Sequence, residues 1–200
     1  MDEHENKVSL RSSYPASVNI RHDQSLFTDH DIYLFKEGTH YRLYDKLGAH
    51  AMVVDGIAGT YFAVWAPNAL KVSVIGNFNS WHRDSHALAV RWDGSGIWEG
   101  FIPGILKGEV YKYFVVSKEH DYQVEKKDPI GVYNETAPKT ASIAWDTQYQ
   151  WQDTEWMSHR RWHNSLQAPL SIYELHLGSW RRNLEEGNRW LTYRELAQPL

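Results

Sequence analysis

Apolar and polar residues alternate along four short runs in the middle of the chain. The runs cover residues 60–65, 71–75, 96–102 and 110–116, and residues that favour turns separate them. Short alternating runs rich in β-branched and aromatic residues are typical of β-strands. The stretches between them lack the 3.6-residue period of a helix. The pattern therefore predicts a mainly β fold, an antiparallel β-sandwich, and we place this domain at residues 36–145.

The same alternation assigns the two faces of each predicted strand. One face should form the core, and its residues are Phe62, Val64, Val72, Val74, Trp98, Ile102, Tyr111 and Tyr113. Lys112 falls on the opposite face of its strand, so its ammonium group should lie on the outer surface. We expect structural roles for Trp65 and Trp98, because each lies inside a strand.

The segments that flank this region have a different character. Residues 1–30 are polar and without a steady period, which predicts a loosely attached arm over about residues 1–35. Residues 146–169 form a predicted linker with one short helix, for which Asp153 is the expected N-cap. Trp156 and Trp162 are expected to hold that helix against a neighbouring element.

The end of the sequence predicts a strand followed by a helix. Residues 171–177 have a strand pattern that ends at Gly178, and Thr192 and Glu195 have the spacing of a capping box. A strand, a loop and a helix are the start of a β/α unit. We therefore assign residues 170–200 to a second domain that is incomplete, because one such unit cannot bury its own faces.

Composition narrows the classes of function. The formal net charge is −4, which gives no electrostatic basis for binding nucleic acid or an acidic membrane. No apolar stretch has the length of a signal peptide core or a membrane span, so we expect a cytoplasmic protein. There are 10 Trp and 12 Tyr residues, whose flat rings either fill cores or stack on sugars.

Motifs for metals and cofactors are missing from the sequence. It has no cysteine, no phosphate-binding glycine loop and no esterase elbow. Two histidine pairs, His82 with His86 and His159 with His163, have helical metal-pair spacing but lack a third ligand. Glu174 and His176 lie on one face of the predicted strand, where a structural role is the better interpretation. We therefore expect no metal and no cofactor.

Four segments, in order, resemble bacterial glycogen (1,4-α-glucan) branching enzymes of the α-amylase superfamily. They are EGTHYRLYDKLGAH, DGIAGTYFAVWAPNALKVSVIGNFNSW, GIWEGFIPG with GEVYKYFVV, and APLSIYELHLGSWRR with WLTYRELA. The resemblance implies that the sandwich is an immunoglobulin-like carbohydrate-binding module of family 48. It also implies that residues 170–200 begin a (β/α)8 barrel. Debranching enzymes share the module, but the first and last segments favour branching.

The resemblance also implies the site residues. Trp81, in the GNFNSW turn, matches a sugar-stacking tryptophan, although a turn tryptophan packed on its own loop is the alternative. Lys112 matches a lysine that hydrogen-bonds sugar hydroxyls, and the alternative is a solvated strand lysine. Tyr122 is a candidate for a second stacking aromatic, on a looser alignment. The implied partner is an α-glucan such as glycogen, and no motif marks an oligomeric state.

Catalysis in this family needs an aspartate nucleophile and a glutamate acid/base, because the reaction retains configuration. The resemblance places these groups on later barrel strands, which would lie beyond Leu200. We therefore expect the chain alone to be inactive and limited to binding α-glucan. The alternatives are a stand-alone glycogen-binding module, a non-functional gene fragment, and part of a debranching enzyme.

Overall fold

The computed structural model describes residues 20–120 and 122–200. The chain divides into two compact units, the first of which ends at Gln148 while the second comprises Tyr149–Leu200. Each unit is described by itself below.

The described part of the first unit contains eight strands. In chain order they are β1 (Gly48–Val54), β2 (Ile57–Trp65), β3 (Ala69–Gly76), β4 (Ala89–Val90), β5 (Ile97–Pro103), β6 (Val110–Ser117), β7 (Gln123–Lys126) and β8 (Ser142–Ile143). One sheet has the order β1-β2-β5-β4. The other has the order β3-β6-β7, and β8 also pairs with β6. All these pairings are antiparallel, so the predicted mainly β, antiparallel fold is confirmed.

The main core lies between the two sheets. Its cluster of buried side chains contains all eight residues that the alternation assigned to it. Tyr111 and Tyr113 donate their hydroxyl hydrogens to Oδ2 of Asp128, over 2.6 Å and 3.2 Å. Burial raises the pKa of Asp128, although these hydrogen bonds and the backbone N–H of Ile130 act in the opposite direction.

A second core covers the outer face of the β1-β2-β5-β4 sheet. Helix α1 (Asp29–Lys36) buries Ile32 there, and the preceding segment buries Phe27. They pack with Tyr61, Ala63, Ile97 and Phe101 of the sheet. This sheet is therefore apolar on both faces and needs a cover, which the segment before β1 provides.

The predicted loosely attached arm is therefore wrong for residues 20–35. Arg21 and Phe101 exchange two backbone hydrogen bonds, of 2.8 Å and 2.9 Å, which fix the start of the segment on β5. A capping box between Thr28 and Asp31 begins α1. Residues 1–19 of the predicted arm lie outside the described residues.

The second unit contains helix α2 (Thr154–His163), and this confirms the predicted linker helix. Asp153 is its N-cap residue but makes no side-chain capping bond. Trp156 stacks on His163 with ring centroids 5.6 Å apart, which joins the two ends of the helix. Trp162 is 78% exposed, so the prediction that it holds the helix against a neighbour is wrong.

The rest of the second unit departs from the predicted β/α pattern. Residues 171–176 form no strand, and helix α3 (Leu177–Trp180) follows them. A strand needs a partner for its backbone groups, and no described residue pairs with this segment. A small hairpin of β9 (Arg182–Asn183) and β10 (Arg189–Trp190) comes next.

The predicted C-terminal helix is confirmed as α4 (Tyr193–Leu196), which begins at Thr192. Thr192 and Glu195 form the expected capping box, in which Glu195 accepts a 2.7 Å hydrogen bond from the N–H of Thr192. A hydrogen bond from Arg189, with those of Thr192, lowers the pKa of Glu195 to about 2.

Candidate functional site

Trp81 lies in the tight turn that follows β3. Ser80 and Trp81 both have left-handed backbone conformations, with φ of 52° and 60°. The backbone N–H of Trp81 donates to the carbonyl of Gly76 over 2.9 Å. Its indole Nε1 donates to Oδ1 of Asn77 over 3.0 Å, while the side chain stays partly exposed. The ring is therefore held in one orientation and still reaches solvent.

Asn79 organises the loop that presents this ring. Its Oδ1 accepts a 2.9 Å hydrogen bond from the N–H of Gly76, and its Nδ2 donates to the carbonyl of Val74 over 3.0 Å. The same Nδ2 donates to Nδ1 of His86, also over 3.0 Å. His86 is buried, and burial lowers its pKa, so its ring is neutral at pH 7 and accepts this bond.

Gly76 is required where β3 turns into this loop. A Cβ at this position would lie 2.1 Å from the carbonyl oxygen of Val110 and 2.5 Å from the ring of Phe78. The absence of a side chain at Gly76 therefore allows the loop to close tightly against the start of β6.

Two ion pairs hold the next residues of the loop across the outer face of the β3-β6-β7 sheet. Arg83 pairs with Glu125 of β7 over 3.0 Å, and its guanidinium lies 4.8 Å from the centre of the Phe114 ring. Asp84 pairs with Lys71 of β3. The loop is thus fixed to the strands on both sides of β6.

Lys112 lies on the same sheet and at the same end as Trp81. It is directly opposite Ile75 in the β3–β6 ladder, one residue from the Gly76 carbonyl that binds Trp81. Its side chain is partly exposed and forms no hydrogen bond or ion pair within the described ranges. The sheet therefore brings together an aromatic ring and an ammonium group with free donors, which suit the faces and hydroxyls of a sugar.

Tyr122 lies elsewhere. It is 58% exposed, and its carbonyl accepts a 2.8 Å hydrogen bond from the N–H of Ser117, the last residue of β6. Ser117 lies five positions further along β6 than Lys112, a distance of roughly 17 Å. The structure thus brings Trp81 and Lys112 together but places Tyr122 at the opposite end of β6.

The two tryptophans that lie in strands, Trp65 and Trp98, differ in their exposure to solvent. Trp98 is buried and donates its indole N–H to the carbonyl of Ala66 over 3.0 Å, as a structural residue should. Trp65 is 55% exposed, so packing in the interior does not account for it. Trp92, which the sequence reasoning did not single out, is 86% exposed in the loop between β4 and β5. The signal for it was a tryptophan beside the turn-forming run DGSG.

The remaining candidates do not form a site. His159 hydrogen-bonds Ser158 and the carbonyl of Glu155, and His176 hydrogen-bonds Ser179. Residues 20–120 and 122–200 contain no group of three or more His, Cys, Asp or Glu arranged to hold a metal ion. None of the helices in these ranges is long and apolar enough to cross a membrane.

A known family matches the part of the chain that carries this surface. Residues 46–131 match the family described as Carbohydrate-binding module 48 (Isoamylase N-terminal domain). The matched range contains Trp81, Lys112 and Tyr122.

Relatives with similar sequences share one description. The chain is 53% identical over 176 residues to the 1,4-alpha-glucan branching enzyme GlgB of Aquifex aeolicus. The alignment covers 88% of this chain and 28% of that protein. The chain is 52% identical over 176 residues to the protein of the same description from Aromatoleum aromaticum, covering 88% and 27%. The chain thus spans about a quarter of the length of these relatives.

Solved structures that align with part of this chain include the pullulanase of Anoxybacillus sp. LM18-11 in complex with maltotriose. It aligns with 62% of this chain and 16% of its own, at 20% identity and a TM-score of 0.42. A similarity of this size does not bear on the site.

Proposed function

We propose that this chain binds α-glucan at Trp81 and Lys112. The chain is a relative of the N-terminal portion of 1,4-alpha-glucan branching enzymes, and that portion contains a family-48 carbohydrate-binding module. The observation that carries the proposal is the pairing of a fixed, accessible indole ring with a free ammonium group at one end of a sheet. The ring stacks on the apolar face of a glucose unit, and Lys112 donates hydrogen bonds to its hydroxyls.

Rigidity supports this assignment. Asn79, His86 and the ion pairs of Arg83 and Asp84 hold the loop before any ligand arrives. A surface that is already ordered loses little conformational entropy on binding, which favours affinity for a small contact area. The left-handed φ of Trp81 is also an uncommon conformation for a bulky residue, and such positions are enriched at functional sites.

The branching reaction itself belongs to the longer relatives. Those proteins are described as branching enzymes, and this chain covers 28% of the length of the protein from Aquifex aeolicus. The family resemblance places the nucleophile and the acid/base on later strands of the barrel. We propose that the chain contributes glucan binding and that glycosyl transfer needs the remaining barrel. A debranching role has less support, because the relatives at high identity are branching enzymes.

Affinity electrophoresis through gels that contain glycogen tests the binding proposal. The wild-type chain should be retarded, and Trp81→Ala should lower its affinity by about tenfold, the loss that one stacked ring supports. Lys112→Gln should lower it several-fold. Trp190→Ala, which removes an exposed tryptophan of the second unit, is the matched control and should leave retardation unchanged. A wild-type chain that runs alike with and without glycogen would refute the proposal.

Iodine staining of amylose tests the proposal that glycosyl transfer needs the remaining barrel. Incubation with the purified chain should leave the amylose absorbance unchanged, because no branches form. A shift of the absorbance toward that of branched glucan would show that the catalytic groups lie within these 200 residues.

A further inference from the structure

Two exposed tryptophans lie at the end of the sandwich opposite Trp81. Trp65 is the last residue of β2, and Trp92 lies in the loop between β4 and β5. Their exposed fractions are 55% and 86%. Trp65 is opposite Ile97 of β5, and Arg91, the neighbour of Trp92, donates its N–H to the Ile97 carbonyl over 2.9 Å, so both tryptophans lie at one end of this sheet. Tryptophan is highly buried on average, so two exposed indoles at one end of a sheet need an explanation.

The ring of Trp65 is fixed although it is exposed. Its Nε1 donates to the carbonyl of Ser95 over 3.0 Å. Phe35 of α1 packs against it with the two rings near perpendicular and their centroids 6.0 Å apart. The polar edge of the indole is therefore satisfied within the protein, and the exposed part is apolar ring.

The loop that carries Trp92 is fixed by buried charges. Arg91 pairs with Asp93 over 2.7 Å and with Glu99 over 2.6 Å, and all three side chains are at most 10% exposed. Asp93 also accepts a 2.9 Å hydrogen bond from the N–H of Ser95. Lys36 donates to the carbonyl of Asp93 over 2.6 Å.

Buried ion pairs gain little net stability, because desolvation offsets much of their attraction. Their effect here is to hold one loop conformation. That conformation presents Trp92 to solvent, and it aligns the Ser95 carbonyl that orients Trp65. Both rings are thus set in place before a ligand binds, as in a preorganised binding surface.

The size of the surface favours a sugar over a protein partner. Two partly exposed indoles offer roughly 300 Å² of apolar area. A stable protein–protein interface needs about 800 Å² on each partner. Isolated flat rings of this size suit the apolar faces of a few glucose units.

We infer that Trp65 and Trp92 form a second α-glucan-binding surface, separate from that of Trp81 and Lys112. The choice of ligand rests on the proposed function. Tyr122 lies at this same end, because Lys118, next to its partner Ser117, donates its N–H to the carbonyl of Asn68 in the turn after Trp65. A branched polysaccharide presents many chain ends, so two separated surfaces on one module raise its avidity for a glycogen particle.

Indole N–H signals in ¹H–¹⁵N spectra of the full chain test this inference. Single Trp→Phe variants assign the signals of Trp65, Trp81, Trp92 and Trp190. Titration with maltoheptaose should shift the first three and leave Trp190, the control in the second unit, in place. The shifts of Trp65 and Trp92 should persist in Trp81→Ala. Cellohexaose, which is β-linked, should cause weaker shifts at the same concentration.

Glycogen-gel retardation gives an independent readout. Trp92→Ala, at a position with almost no packing to lose, should lower the residual affinity of Trp81→Ala by about tenfold. If only the Trp81 signal shifts, the second surface is refuted while the proposed function stands. If only Trp65 and Trp92 shift, the inference stands and the Trp81 assignment fails. If none shifts, or if Trp92→Ala instead abolishes a concentration-dependent dimer in sedimentation, the inference is wrong.

Discussion

The side-chain amide of Asn79 donates to Nδ1 of His86 over 3.0 Å, and this contact closes the loop that carries Trp81. Asn79→Ala removes it together with the acceptor of the Gly76 N–H. We expect the free energy of unfolding to fall by about 1–3 kcal/mol, because the buried N–H of Gly76 loses its acceptor and the carbonyl of Val74 loses a donor.

Urea denaturation measures this loss, and Asn77→Ala is the matched control. Asn77 is exposed, and within the described residues its side chain hydrogen-bonds only the indole N–H of Trp81. Its replacement should change the unfolding free energy by less than about 0.5 kcal/mol while weakening retardation by glycogen. Equal destabilisation by the two variants would contradict the role given to Asn79.

The buried state of His86 predicts a pH effect on stability. Burial lowers its pKa below the ordinary 6.5, so the folded protein keeps this ring neutral where the unfolded chain takes up a proton. The unfolded state then binds more protons, and the stability contributed above pH 6.5 is lost as the pH falls through the folded pKa. NMR titration of the His86 ring should show a midpoint below 6.5. A midpoint at or above that value would contradict the prediction.

Helix α1 should contribute to the stability of the sandwich through Ile32. Ile32→Ala leaves a cavity in the second core, and we expect the unfolding free energy to fall by about 2–4 kcal/mol. Tyr33→Ala on the same helix is the control, because Tyr33 is largely exposed. It should change stability by less than about 0.5 kcal/mol. Similar values for the two variants in chemical denaturation would show that α1 does not cover the sheet.

Asp128 links two buried tyrosines, and its removal should be costly. Asp128→Ala leaves the hydroxyl of Tyr111 without its acceptor and that of Tyr113 with only a 3.4 Å contact to the Ala63 carbonyl. We expect the free energy of unfolding to fall by about 2–4 kcal/mol. Tyr113→Phe deletes the 3.2 Å bond to Asp128 and the 3.4 Å contact with the Ala63 carbonyl, but it leaves the Tyr111–Asp128 bond, so it should lower the free energy of unfolding by less than about 1.5 kcal/mol.

The effect of Asp128→Ala on the free energy of unfolding should depend on pH. The pKa of Asp128 is raised by folding, so its favourable contribution is present below the unfolded value of 3.8 and decreases as the pH rises through the folded pKa. The difference in unfolding free energy between wild type and Asp128→Ala should therefore be larger near pH 4 than at pH 7. Denaturation curves at the two pH values measure it, and a larger difference at pH 7 would reverse the assignment.

The sequence predicted those parts of the fold in which local pattern and burial agree. Val72 and Val74, or Tyr111 and Tyr113, follow the two-residue period because one face of each strand is buried in the main core. Phe27 and Ile32 escaped prediction because isolated apolar residues in a polar segment show no period, and only the apolar outer face of the sheet explains their burial.

The sequence did not predict the structure of residues 171–177 or the exposure of Trp65, and the two cases have different reasons. Residues 171–177 have the composition of a strand, but strand formation depends on a paired neighbour that local sequence does not specify. The exposure of Trp65 follows from its position at the end of β2, on the face opposite Val64. The roles of Trp81, Lys112 and Tyr122 in binding stay predictions, because sequence resemblance supplies them and geometry alone does not test ligand contact.

The second core has a practical consequence for the limits of this domain. The family match begins at residue 46 and ends at residue 131, whereas the buried apolar side chains of the first unit extend from Phe27 to Ala144. A recombinant protein cut at the family limits would expose Tyr61, Ile97 and Phe101 on one side and lose β8 on the other. The region matched by the family is therefore smaller than the packed unit, and transfer of that region to another protein would require α1 to be transferred with it.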